Sequence, residues 1–110
     1  MLQQIFLSYT YDPHPVHAGE LARLESASRR IIEAMGCRVA DGKDRGGAGL
    51  TRTLEARIEG CDVLVAQVTP QADANGVVVA PRYAESEINF ARGKIRSFAL
   101  VHTALGAAGL

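Results

Sequence analysis

The chain has 110 residues, the length of one domain, with twelve basic and twelve acidic side chains. That even balance gives no general pull toward nucleic acid or an anionic membrane surface. Nearly half of the residues are hydrophobic (47%) but only 5% are aromatic, so the core has to be built from Ala, Val, Leu and Ile, as in helices packed on a sheet.

Met1 to Gln4 lacks a basic leader, and no apolar run reaches the roughly 20 residues of a membrane helix. A cytoplasmic protein without a signal peptide is expected. Cys37 and Cys61 form no CxxC pair and have no histidine at ligand spacing, so both are expected as reduced thiols.

The first predicted element is a central strand over Gln4 to Tyr9, a short apolar run buried on both faces. Thr10 to His17 holds two prolines and reads as a loop. A helix is predicted over Ala18 to Met35, with Leu21, Leu24, Ile31, Ile32 and Met35 on its inner side and Gly36 closing it. Cys37 to Ala40 is a second strand, followed by a charged, glycine-rich loop, Asp41 to Gly49. Thr51 caps a helix running to about Glu59, with Leu50, Leu54 and Ile58 inside.

Asp62 to Val68 is the clearest buried strand. Thr69 to Gly76 reads as a loop, and Val77 to Val79 as either a short edge strand or a lead-in to the next helix. That helix starts at Pro81, reaches about Arg92 and is closed by Gly93. Ser97 to His102 is the last strand. The alternation β-α-β-α-β-α-β predicts a parallel sheet with right-handed crossovers.

In such sheets ligands bind beyond the carboxyl ends of the strands. On the third helix, Ala84, Ile88, Ala91 and Ile95 form a core-facing stripe, flanked by Tyr83, Glu87, Phe90 and Lys94. Tyr83 and Glu87 thus lie one turn apart near the crevice. The plain alternative is a boundary tyrosine and a solvated glutamate.

Gly46-Gly47-Ala48-Gly49 precedes a helix, but it has neither the Walker Lys-Ser/Thr pair nor GxGxxG spacing. Lys43 and Arg45 in the same loop are either phosphate contacts or solvated charges. His14 and His17 lack the partners of a metal site. Asp12 does not signal a phospho-accepting receiver domain, because the third strand ends at Val68-Thr69-Pro70 without an aspartate. No Gly-x-Ser-x-Gly elbow is present.

Taken in order, the boxes resemble a Toll/interleukin-1 receptor (TIR) domain of the bacterial, NAD-cleaving kind. Ile5-Phe6-Leu7-Ser8-Tyr9 resembles the first-strand F-I-S-Y box, and Gly36-Cys37-Arg38-Val39 resembles the G-F-x-V lead-in to strand two. Asp41 to Gly49 sits where the family has its BB loop. Ile58 to Val65 resembles I-x-x-S-D-x-x-V, and Tyr83 to Ile88 resembles W-x-x-x-E-I/L, followed by Ala91 and Gly93-Lys94. The resemblance spans residues 4 to 102, and the family's further strand and final helix have no counterpart in the chain.

The resemblance implies a single flavodoxin-like α/β domain over residues 1–110, an open parallel sheet with helices on both faces. It implies an NAD glycohydrolase that splits the nicotinamide–ribose bond to give ADP-ribose or a cyclic product. The setting it implies is the effector domain of a bacterial defence or virulence system. Glu87 would be catalytic, while Tyr83, Tyr9, Thr10, Asp41, Lys43 and Arg45 would line the nucleotide pocket. NAD would be substrate, with no cofactor and no metal. Expected partners are further copies, through residues 41–50, and a fused or separate sensor domain, but neither nucleic acid nor membrane. Two alternatives stand beside this: a non-enzymatic TIR–TIR interaction module, and a nucleoside deoxyribosyltransferase-like enzyme in which a glutamate attacks the sugar.

Overall fold

The computed structural model describes residues 3–9, 14–42, 51–72, 74–79 and 82–101; at Ala72, Val78, Val101 and residues 82–85 the description covers the backbone only. Among these residues, four parallel strands form one sheet in the order β2-β1-β3-β6. They are β1 (Gln4–Ser8), β2 (Arg38–Ala40), β3 (Val63–Val68) and β6 (Arg96–Val101). Three helices connect them: α1 (Ala18–Ala34), α2 (Arg52–Glu59) and α3 (Arg82–Ala91). The expected order of elements is therefore present, and the alternation of strand and helix makes this an α/β fold.

The segment after β3, Thr69 to Gly76, expected as a loop, is in part a strand. Gln71–Ala72 (β4) pairs antiparallel with Val78–Val79 (β5), which also resolves the ambiguous Val77 to Val79 stretch as a strand. Two-residue strands carry no usable alternation, so the pattern was too short to read.

Local chemistry sets the element ends. A 3-10 turn (Pro15–His17) leads into α1, and the backbone N–H of Val16 donates to His14 Nδ1. At the other end Gly36 adopts φ +81°, its N–H donating to the Glu33 carbonyl while the Cys37 N–H reaches back to Ile32. This is a Schellman closure, which needs a residue without Cβ strain at the left-handed position. Thr51 caps α2 by accepting from the Leu54 N–H at 3.3 Å. Asp62 ties β3 to β1 at their starts: its carboxylate accepts from the Gln4 N–H at 2.9 Å, and its own N–H donates to the Gln4 carbonyl.

Register divides the sheet into two faces. Phe6 and Ser8 align with Leu64 and Ala66. This side packs under α2 and α3, in a core of Phe6, Leu54, Ile58, Cys61, Leu64, Ala66, Val68 and Ala91. Leu7, Val65 and Gln67 alternate to the other side, where Gln67 Nε2 donates to Ser28 of α1 at 2.6 Å. Helices therefore cover both faces.

The α1 side is less completely covered than its pattern predicted. Leu21 and Ile32 are buried, but Ile31 is 61% and Met35 68% exposed, so neither belongs to the inner stripe. On β6, Phe98 and Leu100 align with Val65 and Gln67 on this same side and are more than half exposed. Cys37 and Cys61 are both free thiols, and burial pushes the Cys61 thiol up to about 11.

Candidate functional site

Strand order reverses at β1, which has β2 on one side and β3 on the other. The chain leaves β1 and β3 in opposite directions there, opening a crevice at their carboxyl ends. Ser8, the last residue of β1, and Tyr9 stand at this point.

Strand alternation sends these two neighbours to opposite layers. Ser8 lies on the α3 side, fully buried, and its hydroxyl donates to Oε1 of Glu87 at 2.6 Å. Glu87 is only 3% exposed. It is therefore not the solvated helix glutamate that spacing alone would suggest. Burial pushes its carboxyl pKa up, the Ser8 hydrogen bond restrains the rise, and the nearby charge of Asp41 adds to it.

Tyr9 turns to the α1 side. The Arg29 guanidinium donates through Nη2 to the Tyr9 hydroxyl at 3.1 Å and to the Asp41 carboxylate, and through Nε to Glu25 at 2.7 Å. It also stands 5.5 Å above the Tyr9 ring centroid. The Tyr9 hydroxyl donates to Asp41 at 3.4 Å. Asp41 directly follows β2, and its backbone carbonyl accepts from Arg57 of α2 at 2.6 Å. Residues from the ends of two strands and from two helices are thus knotted around Asp41. Burial, with the Asp41 charge behind it, pushes the Tyr9 hydroxyl up to about 12. Arg29 is held above its already high value by its three acceptors, against the cost of burial.

Of the residues expected at the site, Tyr9 and Asp41 touch, and Asp41 acts on Glu87 through its charge. Tyr83 lies on α3 one turn before Glu87, where only the backbone is described. Thr10, Lys43 and Arg45 lie outside the described residues, as does the Gly46 to Gly49 run. Ser8, Arg29 and Arg57 were not singled out by sequence reasoning. Ser8 sits in the first-strand box, and its position before Tyr9 puts it on the opposite face. The roles of Arg29 and Arg57 follow from contacts made by other elements, and no local pattern marks them.

A shallow groove lined by Arg29, Glu33, Gly36, Cys37, Arg38 and Val39 lies beside edge strand β2 and does not include Glu87. Among the described residues no group of three or more His, Cys, Asp or Glu is placed to hold a metal ion. No described helix is long and apolar enough to cross a membrane.

Fold and site together define the class: an open, parallel α/β domain with a buried carboxylate held at the end of its central strand. No known family model matches this chain, and no curated protein or solved structure is detectably similar to it.

Proposed function

We propose that this chain is a flavodoxin-like domain of the TIR type and an NAD glycohydrolase, with Glu87 as its catalytic carboxylate. The observation that carries the reading is the buried Glu87 carboxylate, anchored by Ser8 at the carboxyl end of the central strand. A carboxylate removed from water stabilises a developing cation far more than a solvated one does.

Cleavage needs little more than this. NAD enters with a positively charged pyridinium, whose approach favours the ionised form of Glu87. The nicotinamide–ribose bond breaks with its electron pair going to the ring nitrogen, and nicotinamide leaves neutral. The ribose passes through an oxocarbenium-like state that faces the carboxylate. Water adds to the anomeric carbon and releases a proton, giving ADP-ribose; attack by a ring nitrogen of the adenine would instead give a cyclic product. Tyr83, one turn before Glu87, is assigned to stacking on the nucleotide. Tyr9 and Asp41, held by Arg29, are assigned to the same nucleotide, as are Thr10, Lys43 and Arg45. Self-association through residues 41–50 completes the site, in the setting of a bacterial defence or virulence effector.

The test is nicotinamide release from NAD by concentrated or artificially clustered protein, comparing the native chain with Glu87→Gln. Release by the native chain and none by a folded Glu87→Gln variant supports the reading. If neither releases nicotinamide under conditions of demonstrated self-association, the reading is lost. The near-complete burial of Glu87 then favours the second one, a TIR–TIR interaction module in which this carboxylate is part of the packing.

A further inference from the structure

We infer that Ser8 is a positioning residue for Glu87: its hydroxyl fixes Oε1, so that the orientation and the charge of the carboxylate are set by the end of β1 and not by α3 alone. Three observations converge. The bond is short, 2.6 Å, as expected for a hydroxyl donating to a carboxylate. Both residues are buried, Ser8 completely, so water does not compete for either group. The contact joins the last residue of the central strand to the middle of α3, 79 positions away in the chain.

A serine is suited to this task. Its short side chain has few rotamers to lose, and at a fully buried position the hydroxyl cannot turn to solvent. Hydrogen bonding to the ionised form favours that form. Two influences oppose it: burial first, and then the charge of Asp41, at the end of β2, which disfavours a second anion. The Asp41 carboxylate is itself engaged by Arg29 from α1 and by the Tyr9 hydroxyl, and its backbone carbonyl by Arg57 from α2. Among the described residues Ser8 is thus the donor to the Glu87 carboxylate, and Asp41 acts on it through charge.

This inference rests on the glycohydrolase reading for what the carboxylate does, but its test does not require turnover. The side-chain carboxyl carbon of Glu87, identified by its loss in Glu87→Gln, is titrated by NMR in the free 110-residue chain. In Ser8→Ala the titration midpoint should rise by about one pH unit, the scale of one charge-assisted hydrogen bond. Ser8→Cys, similar in shape but a weaker donor, should fall between the two. A midpoint that is unchanged or lowered in both variants overturns the proposal.

Nicotinamide release adds an independent arm. In Ser8→Ala the acid limb of the rate profile should move upward with the NMR midpoint, and kcat should fall by more than KM rises. A role confined to packing would lower stability and leave both the midpoint and the acid limb in place. If the midpoint moves and no form of the protein releases nicotinamide, the hold of Ser8 on Glu87 stands and the glycohydrolase reading fails. If the native chain releases nicotinamide and Ser8→Ala shares its pH profile, the positioning role fails and the glycohydrolase reading stands.

Discussion

Ser8 and Glu87 are 79 positions apart in the chain, and their side chains meet at 2.6 Å in the buried layer between β1 and α3. Removing a carboxylate from water has a consequence for stability that is separate from catalysis. The folded state holds the carboxyl pKa of Glu87 above its ordinary value of 4.5. Below that value both states are protonated and burial carries no ionic penalty. As pH rises past it the unfolded chain ionises first, so the unfolded state binds fewer protons and stability falls until the folded-state pKa is reached. Urea unfolding across this range should show that downward slope in the native chain. The Glu87→Gln variant should lose this contribution, and identical slopes in the two proteins would contradict the assignment.

The Tyr9 hydroxyl should ionise late, near pH 12, because its anion would be formed out of water and beside Asp41. A spectrophotometric titration at 295 nm, with Tyr9→Phe as the control, checks this. The raised value means that the contribution of the neutral hydroxyl is complete below pH 10 and is lost as pH climbs from about 10 to about 12. At neutral pH, Tyr9→Phe should cost roughly 1–2 kcal/mol, since two hydrogen-bonding partners lose a neighbour at a buried position.

Arg29→Lys should not substitute for arginine. One ammonium cannot reproduce the planar fork that serves Glu25, Tyr9 and Asp41 together. A loss of about 1–2 kcal/mol is expected by urea unfolding, approaching that of Arg29→Ala. Full retention of stability by the lysine variant would show that charge alone is what matters there.

Two isoleucines separate the covered from the uncovered surface. Ile58, on the inner face of α2, is completely buried, and Ile58→Ala should cost about 2–5 kcal/mol. Ile31 on α1 is largely exposed, and Ile31→Ala should change stability by no more than about 0.5 kcal/mol. Equal losses from the two substitutions would restore Ile31 to the inner stripe where its spacing first placed it.

Much of this protein is dictated locally and was legible in its sequence. The near-continuous apolar runs at Gln4 to Tyr9 and Asp62 to Val68 read as interior strands, and the strands found are Gln4–Ser8 and Val63–Val68. Thr51 and Gly36 mark helix ends because a hydroxyl satisfies free N–H groups and only glycine enters the left-handed region without strain. Of the stripe expected at Ala84, Ile88, Ala91 and Ile95, the last three pack on the core, but Ile95 does so from beyond the end of α3, Phe90 of the flank joins them, and the Ala84 side chain lies outside the described residues. Helix α1 shows where this reasoning stops. Leu24, Ile31 and Met35 obey the same periodicity as Leu21 and Ile32, yet which part of an apolar stripe is covered depends on the neighbouring layer. The burial of Glu87 and the linkage of Arg29 to Asp41 were likewise decided only by the tertiary structure. A carboxylate on a helix flank looks the same in sequence whether water or a serine from a distant strand stands opposite it, because desolvation and long-range hydrogen bonds are properties of what folds against a residue, not of its neighbours along the chain.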